Sequence, residues 1–362
     1  MGYISINGMS KILLLIDTLG QGGAERQMAY LAVQLSLVGN EVRLIKYFPD
    51  ECAYNDMLSK ANVKVETDLK GNNRWRRIIQ IYKTVKSWKP DLTIVYKDGT
   101  CMAACIARIF TSYNLAVSER NTTQILNRTE SVKFHLFRLA DYIVQNSISQ
   151  TKFIRQHFPK LSDKLVTITN MIDTERFKPA QKMPDKKRVI ITARLTRQKN
   201  VLTFLKALSL SGLKPYDVHF DWFGKIHSTE YYNEISSLQK ELNLESLITF
   251  HTEGSNKIEE EYRLSTHFCL PSIYEGFPNV LCEAMASGLV CCASNVCDNP
   301  YILQNNTLLF DPNNPTQIAA TLKDMLSLQK DEFDAIRNFN RNRIEELCSP
   351  VVFTQKYLAL LK

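Results

Sequence analysis

The sequence predicts an α/β protein built from two tandem Rossmann-like domains. Short apolar runs alternate with segments of helical periodicity almost from end to end, which is typical of parallel α/β units. The alternation stops at one polar stretch, residues 178–188, which contains Pro179 and Pro184 and has the composition of a linker. The chain has 362 residues, more than one compact core usually holds, so each half is expected to form its own domain.

The positions of the linker and the strands predict where the domains and their ligands lie. We expect an N-terminal domain at residues 1–177 and a C-terminal domain at residues 178–348, with the last helix, 349–362, packing back on the first domain. Ligands of open α/β sheets bind beyond the carboxyl ends of the strands. A ligand cleft between the two domains is accordingly predicted.

The individual elements follow from the same alternation. The first strand runs into a glycine-bearing turn at residues 18–23. In the first half, strands are predicted at 11–16, 41–47, 63–66, 92–96, 115–118, 142–145 and 165–168, and helices at 24–38, 75–88 and 101–110. In the second half, strands are predicted at 189–192, 218–223, 247–250, 267–270 and 289–293, and helices at 202–210, 231–242, 258–264, 279–286, 315–328, 331–346 and 351–361.

Composition and charge narrow the class of protein. Hydrophobic residues make up 44% and charged residues 23%, as in ordinary globular proteins. With no apolar run of about 18 residues and no signal-peptide pattern at the start, we expect a cytoplasmic protein. The nine cysteines and six histidines show no metal-ligand spacing, which indicates reduced thiols and no metal site. The net charge of +8 fits a phosphorylated ligand or an anionic lipid surface, whereas no nucleic-acid-binding motif occurs.

The segment LPSIYEGFPNVLCEAMASG, residues 270–288, carries the clearest chemistry. Pro278 suits the first position of a helix and Gly288 suits its C-terminal cap. The start of that helix would offer free N–H groups and a positive dipole end to a phosphate or to sugar hydroxyls. Glu275 stands just before the helix and Glu283 lies inside it. By themselves, the two acids prove little, because a helix cap and a solvated helix face explain them better than a ligand site does.

The context of these acids resembles a known family. Glu275-Gly276-Phe277-Pro278, together with Ser272, Glu283-Ala284 and Gly288, is similar to the donor-site signature of family 4 retaining glycosyltransferases, which have the GT-B fold. Other matches occur in the expected order and extend the resemblance from about residue 11 to residue 361. They are the glycine loop Gly22-Gly23-Ala24-Glu25-Arg26, the motif from Asn170 to Asp173 with Phe177 and Pro179, and Ala193-Arg194-Leu195 with Lys199-Asn200.

The resemblance implies a role for each charged residue of these motifs. Arg194 and Lys199 would neutralise the leaving diphosphate, where negative charge develops as the sugar–phosphate bond breaks. They would replace a metal ion, because the sequence has no Asp-x-Asp motif, and no cofactor is expected. Glu275 would hydrogen-bond hydroxyls of the transferred sugar, and Glu283 would bind the ribose of the nucleotide.

Two further groups of residues complete the predicted site. Glycines in both groups permit close approach of the backbone to a ligand. The remaining donor-binding residues would be Gly276, Phe277, Pro278, Asn279 and Gly224. The phosphate or acceptor loop of the first domain would consist of Gly22, Gly23 and Arg120.

Three positions depart from the family pattern. Arg120 stands where several members carry a histidine, and it fits either a contact with phosphate or acceptor or a structural salt bridge. The glycine turn after strand 218–223 is reduced to Gly224-Lys225. Cys297-Asp298 and Tyr301 replace the glycines and the glutamate that often follow the strand at 289–293.

A basic, aromatic helix at residues 74–89 could lie on an anionic membrane. The same pattern also fits simple packing of its isoleucines on the sheet while its basic residues face water. The segment 133–138, with Phe134 and Phe137, is a second candidate for membrane contact.

The resemblance implies a retaining, metal-independent glycosyltransferase of surface-polysaccharide synthesis, such as O-antigen, lipopolysaccharide or capsule. Its donor would be UDP-N-acetylhexosamine or UDP-hexose, and its acceptor a hydroxyl of a polyprenyl-diphosphate-linked glycan at the cytoplasmic face of the inner membrane. A nucleotide-sugar epimerase with the same fold and a non-catalytic nucleotide-binding envelope protein remain alternatives. A dinucleotide oxidoreductase is disfavoured, because Gly20-Gln21-Gly22-Gly23 lacks the GxGxxG order.

Overall fold

The computed structural model describes residues 9–49, 52–67, 73–121, 123, 126–255 and 257–361, and the chain divides into two compact units. The first unit runs up to Met171 and takes in the C-terminal residues from Pro350 onward; the second is Ile172–Ser349. The division thus falls a few residues before the predicted one at 177/178. Its cause is packing, because Ile172 and Phe177 are buried in the core of the second unit and the N–H of Ile172 donates to the carbonyl of Cys348 at 2.9 Å.

The first unit alternates strands and helices along the chain. Its strands are β1 (Lys11–Ile16), β2 (Glu41–Lys46), β3 (Lys64–Thr67), β4 (Leu92–Tyr96), β5 (Leu115–Ser118), β6 (Tyr142–Gln145) and β7 (Leu165–Thr167). Its helices are α1 (Gly23–Leu37), α2 (Asn55–Lys60), α3 (Arg74–Trp88), α4 (Asp98–Ala107), α5 (Arg128–Phe137) and α6 (Ile148–His157).

The strands of the first unit form one parallel sheet in the order β3-β2-β1-β4-β5-β6-β7. Its central strands β1 and β4 are buried almost throughout, as expected for apolar runs covered on both faces. The order of the strands reverses between β1 and β4. The carboxyl ends of these two strands therefore form the topological switch point, where ligands of such sheets bind.

The second unit repeats the same architecture. Its strands are β8 (Lys187–Thr192), β9 (Val218–Phe223), β10 (Ile248–His251), β11 (His267–Leu270), β12 (Val290–Ser294) and β13 (Leu309–Phe310). Its helices are α7 (Val201–Ser211), α8 (Thr229–Glu241), α9 (Ile258–Arg263), α10 (Asn279–Ala286), α11 (Asn299–Leu303), α12 (Pro315–Ser327) and α13 (Lys330–Cys348). The parallel order β10-β9-β8-β11-β12-β13 puts its switch point at the carboxyl ends of β8 and β11.

The last helix, α14 (Pro350–Leu358), belongs to the first unit. Phe353, Tyr357 and Leu360 are buried in the same apolar cluster as Ile12 and Leu14 of β1. The helix also bonds the sheet through its polar atoms, because the hydroxyls of Tyr357 and Tyr96 lie 2.6 Å apart. The C-terminal residues therefore complete the core of the N-terminal sheet.

Three predictions about elements need correction. The predicted linker is partly strand, since β8 begins at Lys187. Helix α4 begins at Asp98 rather than Cys101. Asp98 lies in the first turn, where the positive end of the helix dipole stabilises a negative charge. Helices α5 and α6 were missed although each starts with a side-chain N-cap: the side chain of Asn127 accepts from the N–H of Glu130, and that of Ser147 from the N–H of Gln150.

Candidate functional site

The predicted catalytic residues of the second unit lie at its switch point. Arg194 comes two residues after β8, and Glu275 lies on the segment that follows β11. Strands β8 and β11 are hydrogen-bonded neighbours, so residues distant in sequence meet at one edge of the sheet. Open parallel sheets bind ligands at this point.

Lys199 and Glu275 form an ion pair there. Lys199 ends a short 3₁₀ turn, Arg197–Lys199, and its Nζ donates to Oε1 of Glu275, while the two side chains are only 14% and 11% exposed. The turn is tied to the same segment, because the N–H of Ile273 donates to the carbonyl of Gln198 at 2.8 Å. In return, Nε2 of Gln198 donates to the carbonyl of Tyr274 at 2.9 Å. The pair is therefore held from both sides.

Asn200 fixes this turn against two neighbouring loops. Its amide donates to the carbonyls of Pro271 at 3.1 Å and Pro312 at 2.7 Å, and its φ of 64° lies in the left-handed region that asparagine tolerates better than most residues. Asn200 belongs to the motif that resembles the family, but the resemblance assigned it no role. Only the structure shows that it joins the loops after β8, β11 and β13.

Arg194 presents its charge to solvent. Its neighbours Ala193 and Leu195 are 9% and 1% exposed, whereas Arg194 itself is exposed. The backbone on either side is fixed, because the N–H groups of Ala193 and Leu195 donate to the carbonyls of Phe223 and Lys225. A guanidinium in this position is accessible to an anionic ligand.

Helix α10 carries the second predicted acid inside the unit. Glu283 is 4% exposed, and every residue from Leu281 to Ala286 is buried, so the alternative of a solvated helix face is wrong. Pro278 is the N-cap rather than the first helical residue: its ψ of 92° is extended, and its carbonyl accepts from the N–H groups of Leu281 and Cys282. Because proline lacks an N–H, it loses nothing at this position.

The remaining predicted donor residues lie around the same helix. Phe277 packs its ring in the core at 6% exposure, and Gly276 and Asn279 flank the Phe277-Pro278 pair at half-buried positions. Gly288 ends the helix with a φ of +70°. These positions leave the backbone at the start of α10 as the part available to a ligand.

Packing alone explains why a glycine occupies position 224. A Cβ at this position would lie 1.8 Å from the carbonyl oxygen of Ala193, which also accepts from Nε1 of Trp222 at 2.7 Å. Any side chain would therefore push β9 away from the turn after β8. Its predicted donor contact stays a prediction.

The glycine loop of the first unit surrounds a buried acid. Gly22 is the N-cap of α1 and Gly23 is its first residue. A Cβ on Gly22 would lie 2.1 Å from Oε2 of Glu25, a carboxylate that Nζ of Lys97 holds at 2.6 Å. The absence of a side chain at Gly22 thus makes room for the Glu25–Lys97 pair at the switch point of the first sheet.

Within the described ranges of the chain, Arg120 forms no salt bridge, so that alternative is not the one the structure favours. Its Nη2 donates to the hydroxyl of Tyr96 at 2.7 Å, and its guanidinium carbon lies 4.0 Å from the centre of the Tyr96 ring. Among the described residues, its Nε and Nη1 are buried without a hydrogen-bond partner. The side chain keeps donor capacity for an anion.

The second membrane candidate, residues 133–138, is wrong. Phe134 and Phe137 are fully buried, and Lys133 is 2% exposed and paired with Glu119, with Glu130 at 2.5 Å and with Asp98 at 3.6 Å. Burial raises the pKa of Glu119 to about 7. The apolar residues of this helix pack in the core, and its lysine pairs with one buried and two half-buried acids.

Helix α3 has both an inner and an outer apolar surface. Ile78, Ile81 and Val85 are buried in the core of the first unit. Trp75 and Ile79, in contrast, are 71% and 52% exposed beside the basic residues of the first turn. Packing on the sheet accounts for the first group only.

The structure also bears on metal binding, membrane crossing and the state of the cysteines. Across the part of the chain that the structure describes, no group of three or more metal-ligating side chains comes together, and no helix is both long and apolar enough to cross a bilayer. The nine cysteines are free thiols, of which Cys297 is exposed and Cys52 half-buried. Cys297 has a φ of 49° at the position where the family often has glycine.

Comparison with known proteins gives a consistent result. Residues 172–343 match the family described as Glycosyl transferases group 1. The match begins at Ile172, the first residue of the second unit. The chain is 27% identical over 356 residues to N-acetylgalactosamine-N,N'-diacetylbacillosaminyl-diphospho-undecaprenol 4-alpha-N-acetylgalactosaminyltransferase of Campylobacter jejuni, covering 92% of this chain and 94% of that protein. It is 30% identical over 157 residues, 39% of each protein, to UDP-Gal:alpha-D-GlcNAc-diphosphoundecaprenol alpha-1,3-galactosyltransferase of Escherichia coli.

The fold is shared with solved glycosyltransferases. A glycosyltransferase from Rickettsia africae superposes with a TM-score of 0.85 over 98% of both chains at 19% identity, so the likeness concerns the fold alone. The predicted GT-B class and the predicted resemblance are both confirmed. The chain therefore carries a Glycosyl transferases group 1 domain within a GT-B fold, and it is a glycosyltransferase.

Proposed function

We propose that this enzyme transfers a sugar with retention of configuration, and without a metal ion, from a UDP-sugar to a polyprenyl-diphosphate-linked glycan. The observation that carries the proposal is the Lys199–Glu275 pair at the switch point of the second sheet. A nucleotide sugar has two parts that this pair matches: an anionic diphosphate and a ring of hydroxyl groups. Both side chains are largely withdrawn from water, so their interactions with a ligand are strong.

On the donor side, the ligand would separate the pair. The diphosphate takes Nζ of Lys199 and the exposed guanidinium of Arg194, while hydroxyls of the sugar donate to the carboxylate of Glu275. Glu283, buried in α10, binds the ribose. The start of α10 adds the backbone N–H groups of Gly276 and Phe277, which lie near the positive end of the helix dipole.

The chemistry needs little beyond charge stabilisation. The acceptor hydroxyl attacks the anomeric carbon on the face of the leaving group, and the new glycosidic C–O bond forms as the sugar–phosphate C–O bond breaks. The hydroxyl proton passes to an oxygen of the leaving diphosphate. Arg194 and Lys199 stabilise the charge that develops there, which is the part a metal ion plays in other glycosyltransferases.

On the acceptor side, the first unit supplies one cation and a glycine loop for a diphosphate. Arg120 has two buried donors without a partner among the described residues. Gly22 and Gly23 open the loop after β1. Both relatives named above act, by their names, on diphospho-undecaprenol-linked glycans, which supports an acceptor of this class.

Peripheral membrane binding through α3 belongs to the same proposal. An acceptor on a polyprenyl carrier lies in a bilayer, so the enzyme must reach the membrane surface. Trp75 and Ile79 are exposed next to Arg74 and Arg76, a combination that binds anionic lipid headgroups and their boundary with the acyl chains. We place this helix against the cytoplasmic face of the inner membrane.

The test is a panel of donors and acceptors. UDP-GlcNAc, UDP-GalNAc, UDP-glucose and UDP-galactose are each incubated with GlcNAc-diphosphoundecaprenol or its GalNAc analogue, with EDTA present, and UDP release is measured with and without acceptor. We expect release only with acceptor, and an α-linkage in the product by NMR. Epimerisation of a donor without acceptor would establish the epimerase alternative, and donor binding without turnover would establish the non-catalytic one. Loss of transfer in EDTA, restored by Mg²⁺, would refute metal independence.

A further inference from the structure

Arg120 holds a backbone conformation that arginine rarely adopts. It lies two residues beyond β5 with a φ of 61°, in the left-handed region, where a residue with a side chain persists only if its surroundings hold it. On one side the chain is anchored by Glu119, which is fully buried and bonded to Lys133. What holds the Arg120 side chain itself is a separate set of contacts.

Tyr96, the last residue of β4, is the support beneath the guanidinium. Its ring lies 4.0 Å from the guanidinium carbon, and its hydroxyl oxygen accepts from Nη2 at 2.7 Å. The ring is fully buried, so it cannot move aside. Burial also raises the pKa of Tyr96 well above its ordinary value, so the hydroxyl keeps its hydrogen.

Tyr357 in turn fixes the hydroxyl of Tyr96. The two hydroxyl oxygens lie 2.6 Å apart, and Tyr357 is also fully buried. Its ring packs edge-on against Phe353, with centroids 5.0 Å apart, on the last helix of the chain. A row of contacts therefore runs from α14 through Tyr357 and Tyr96 to Arg120.

The guanidinium of Arg120, at the end of this row of contacts, has hydrogen-bond donors for an anion. Arginine can only donate hydrogen bonds, and within the described part of the chain Nε and Nη1 of Arg120 have no acceptor although both are buried. The buried hydroxyl of Ser118, two residues earlier, also has no partner there. Buried donors without an acceptor are costly, and a fork of such donors matches the oxygens of a phosphate.

We propose that Tyr96 and Tyr357 are positioning residues that hold Arg120 ready to bind the diphosphate of the acceptor, so that helix α14 sets how tightly the acceptor binds. This inference rests on the proposed function, which assigns the acceptor diphosphate to Arg120. It adds two residues that no motif indicated. It also gives the C-terminal helix a part in substrate binding beyond completing the core.

The test measures binding of farnesyl diphosphate to the full chain by calorimetry, with farnesol as the uncharged control. We expect Arg120→Ala to weaken binding at least about tenfold, since it removes hydrogen bonds to a charged group, and Tyr357→Phe to weaken it about threefold, since it removes one neutral hydrogen bond. In the Arg120→Ala background, Tyr357→Phe should cause no further loss. The matched control is Tyr113→Phe, which removes a buried hydroxyl that donates to the carbonyl of Ala104 at 2.7 Å in the same unit.

The outcomes separate the two proposals. If Tyr357→Phe leaves affinity unchanged, or weakens it equally with alanine at position 120, the tyrosines do not act through Arg120 and the inference fails while the acceptor role of Arg120 stands. If Arg120→Ala binds as tightly as the native chain, or the native chain does not prefer farnesyl diphosphate to farnesol, the acceptor site itself is wrong. Affinity for UDP should be the same in all variants, which distinguishes positioning from general loss of structure.

Discussion

The two units place their charges differently at equivalent edges of the same kind of sheet. In the second unit, Lys199 and Glu275 meet in a single pair at the switch point, and Arg194 stays in solvent. In the first unit, most charges are committed to one another: Glu25 to Lys97, and Glu119 and Glu130 to Lys133. In the proposed function, the second unit thus has charge available for a small, anionic donor. In the first unit most charges form structural ion pairs, and the guanidinium of Arg120 is the group proposed to bind its ligand.

The largest effect is expected on the structural side of this comparison. Lys133→Met leaves Glu119 buried without its cation, and breaking a buried pair in this way costs about 3–5 kcal/mol of unfolding free energy. Urea denaturation followed by circular dichroism measures the loss. Glu119→Gln in the Lys133→Met background should recover most of it. Equal stability of Lys133→Met and the native chain would mean that the cluster is not structural.

Lys199→Met tests the catalytic side. Removing one cation from the leaving diphosphate should lower kcat by about 10²–10³-fold, as for other preorganised groups that stabilise developing charge. Arg197→Met is the matched control, because Arg197 lies in the same turn but pairs with the partly exposed Glu234 and is itself 69% exposed. Initial rates at saturating donor measure both variants. A similar loss in the two would assign the effect to the turn rather than to Lys199.

A smaller effect is expected on the proposed binding of α3 to lipid. Arg74→Gln with Arg76→Gln should weaken binding to vesicles of one part phosphatidylglycerol and three parts phosphatidylethanolamine by roughly thirtyfold, at about 1 kcal/mol for each charge. Flotation at physiological ionic strength measures it. Lys152→Gln with Arg155→Gln removes two exposed charges from α6 and serves as the control. If both pairs reduce binding equally, net charge rather than α3 drives association.

The features that could be predicted from the sequence are those set by residues close together along the chain. Strands such as Leu92–Tyr96 and Val218–Phe223, and helix Asn279–Ala286, matched residue for residue because apolar runs and caps are local signals. The donor motif was also local enough to recognise. Helices α5 and α6 could have been found from their N-cap residues, Asn127 and Ser147, which are local signals too.

The contacts that sequence could not supply join distant residues. Lys133 has the spacing of an amphipathic surface helix. Its burial is explained only by three acids, which come from α4, from the residue after β5 and from the first turn of α5. In the same way, the sequence identifies Tyr96 only as the last residue of a buried strand. Nothing in its neighbourhood along the chain indicates the arginine and the C-terminal tyrosine that it bonds.

The central proposal is that the second unit binds the donor and the first unit binds the acceptor. Paired kinetics of two charge-removing variants test this proposal most directly. KM for donor, KM for acceptor and kcat are measured for Arg120→Met and Lys199→Met against the native enzyme. We expect Arg120→Met to raise the acceptor KM about tenfold or more with the donor KM unchanged. Lys199→Met should lower kcat with the acceptor KM unchanged. A raised donor KM in Arg120→Met, together with a raised acceptor KM in Lys199→Met, would contradict it.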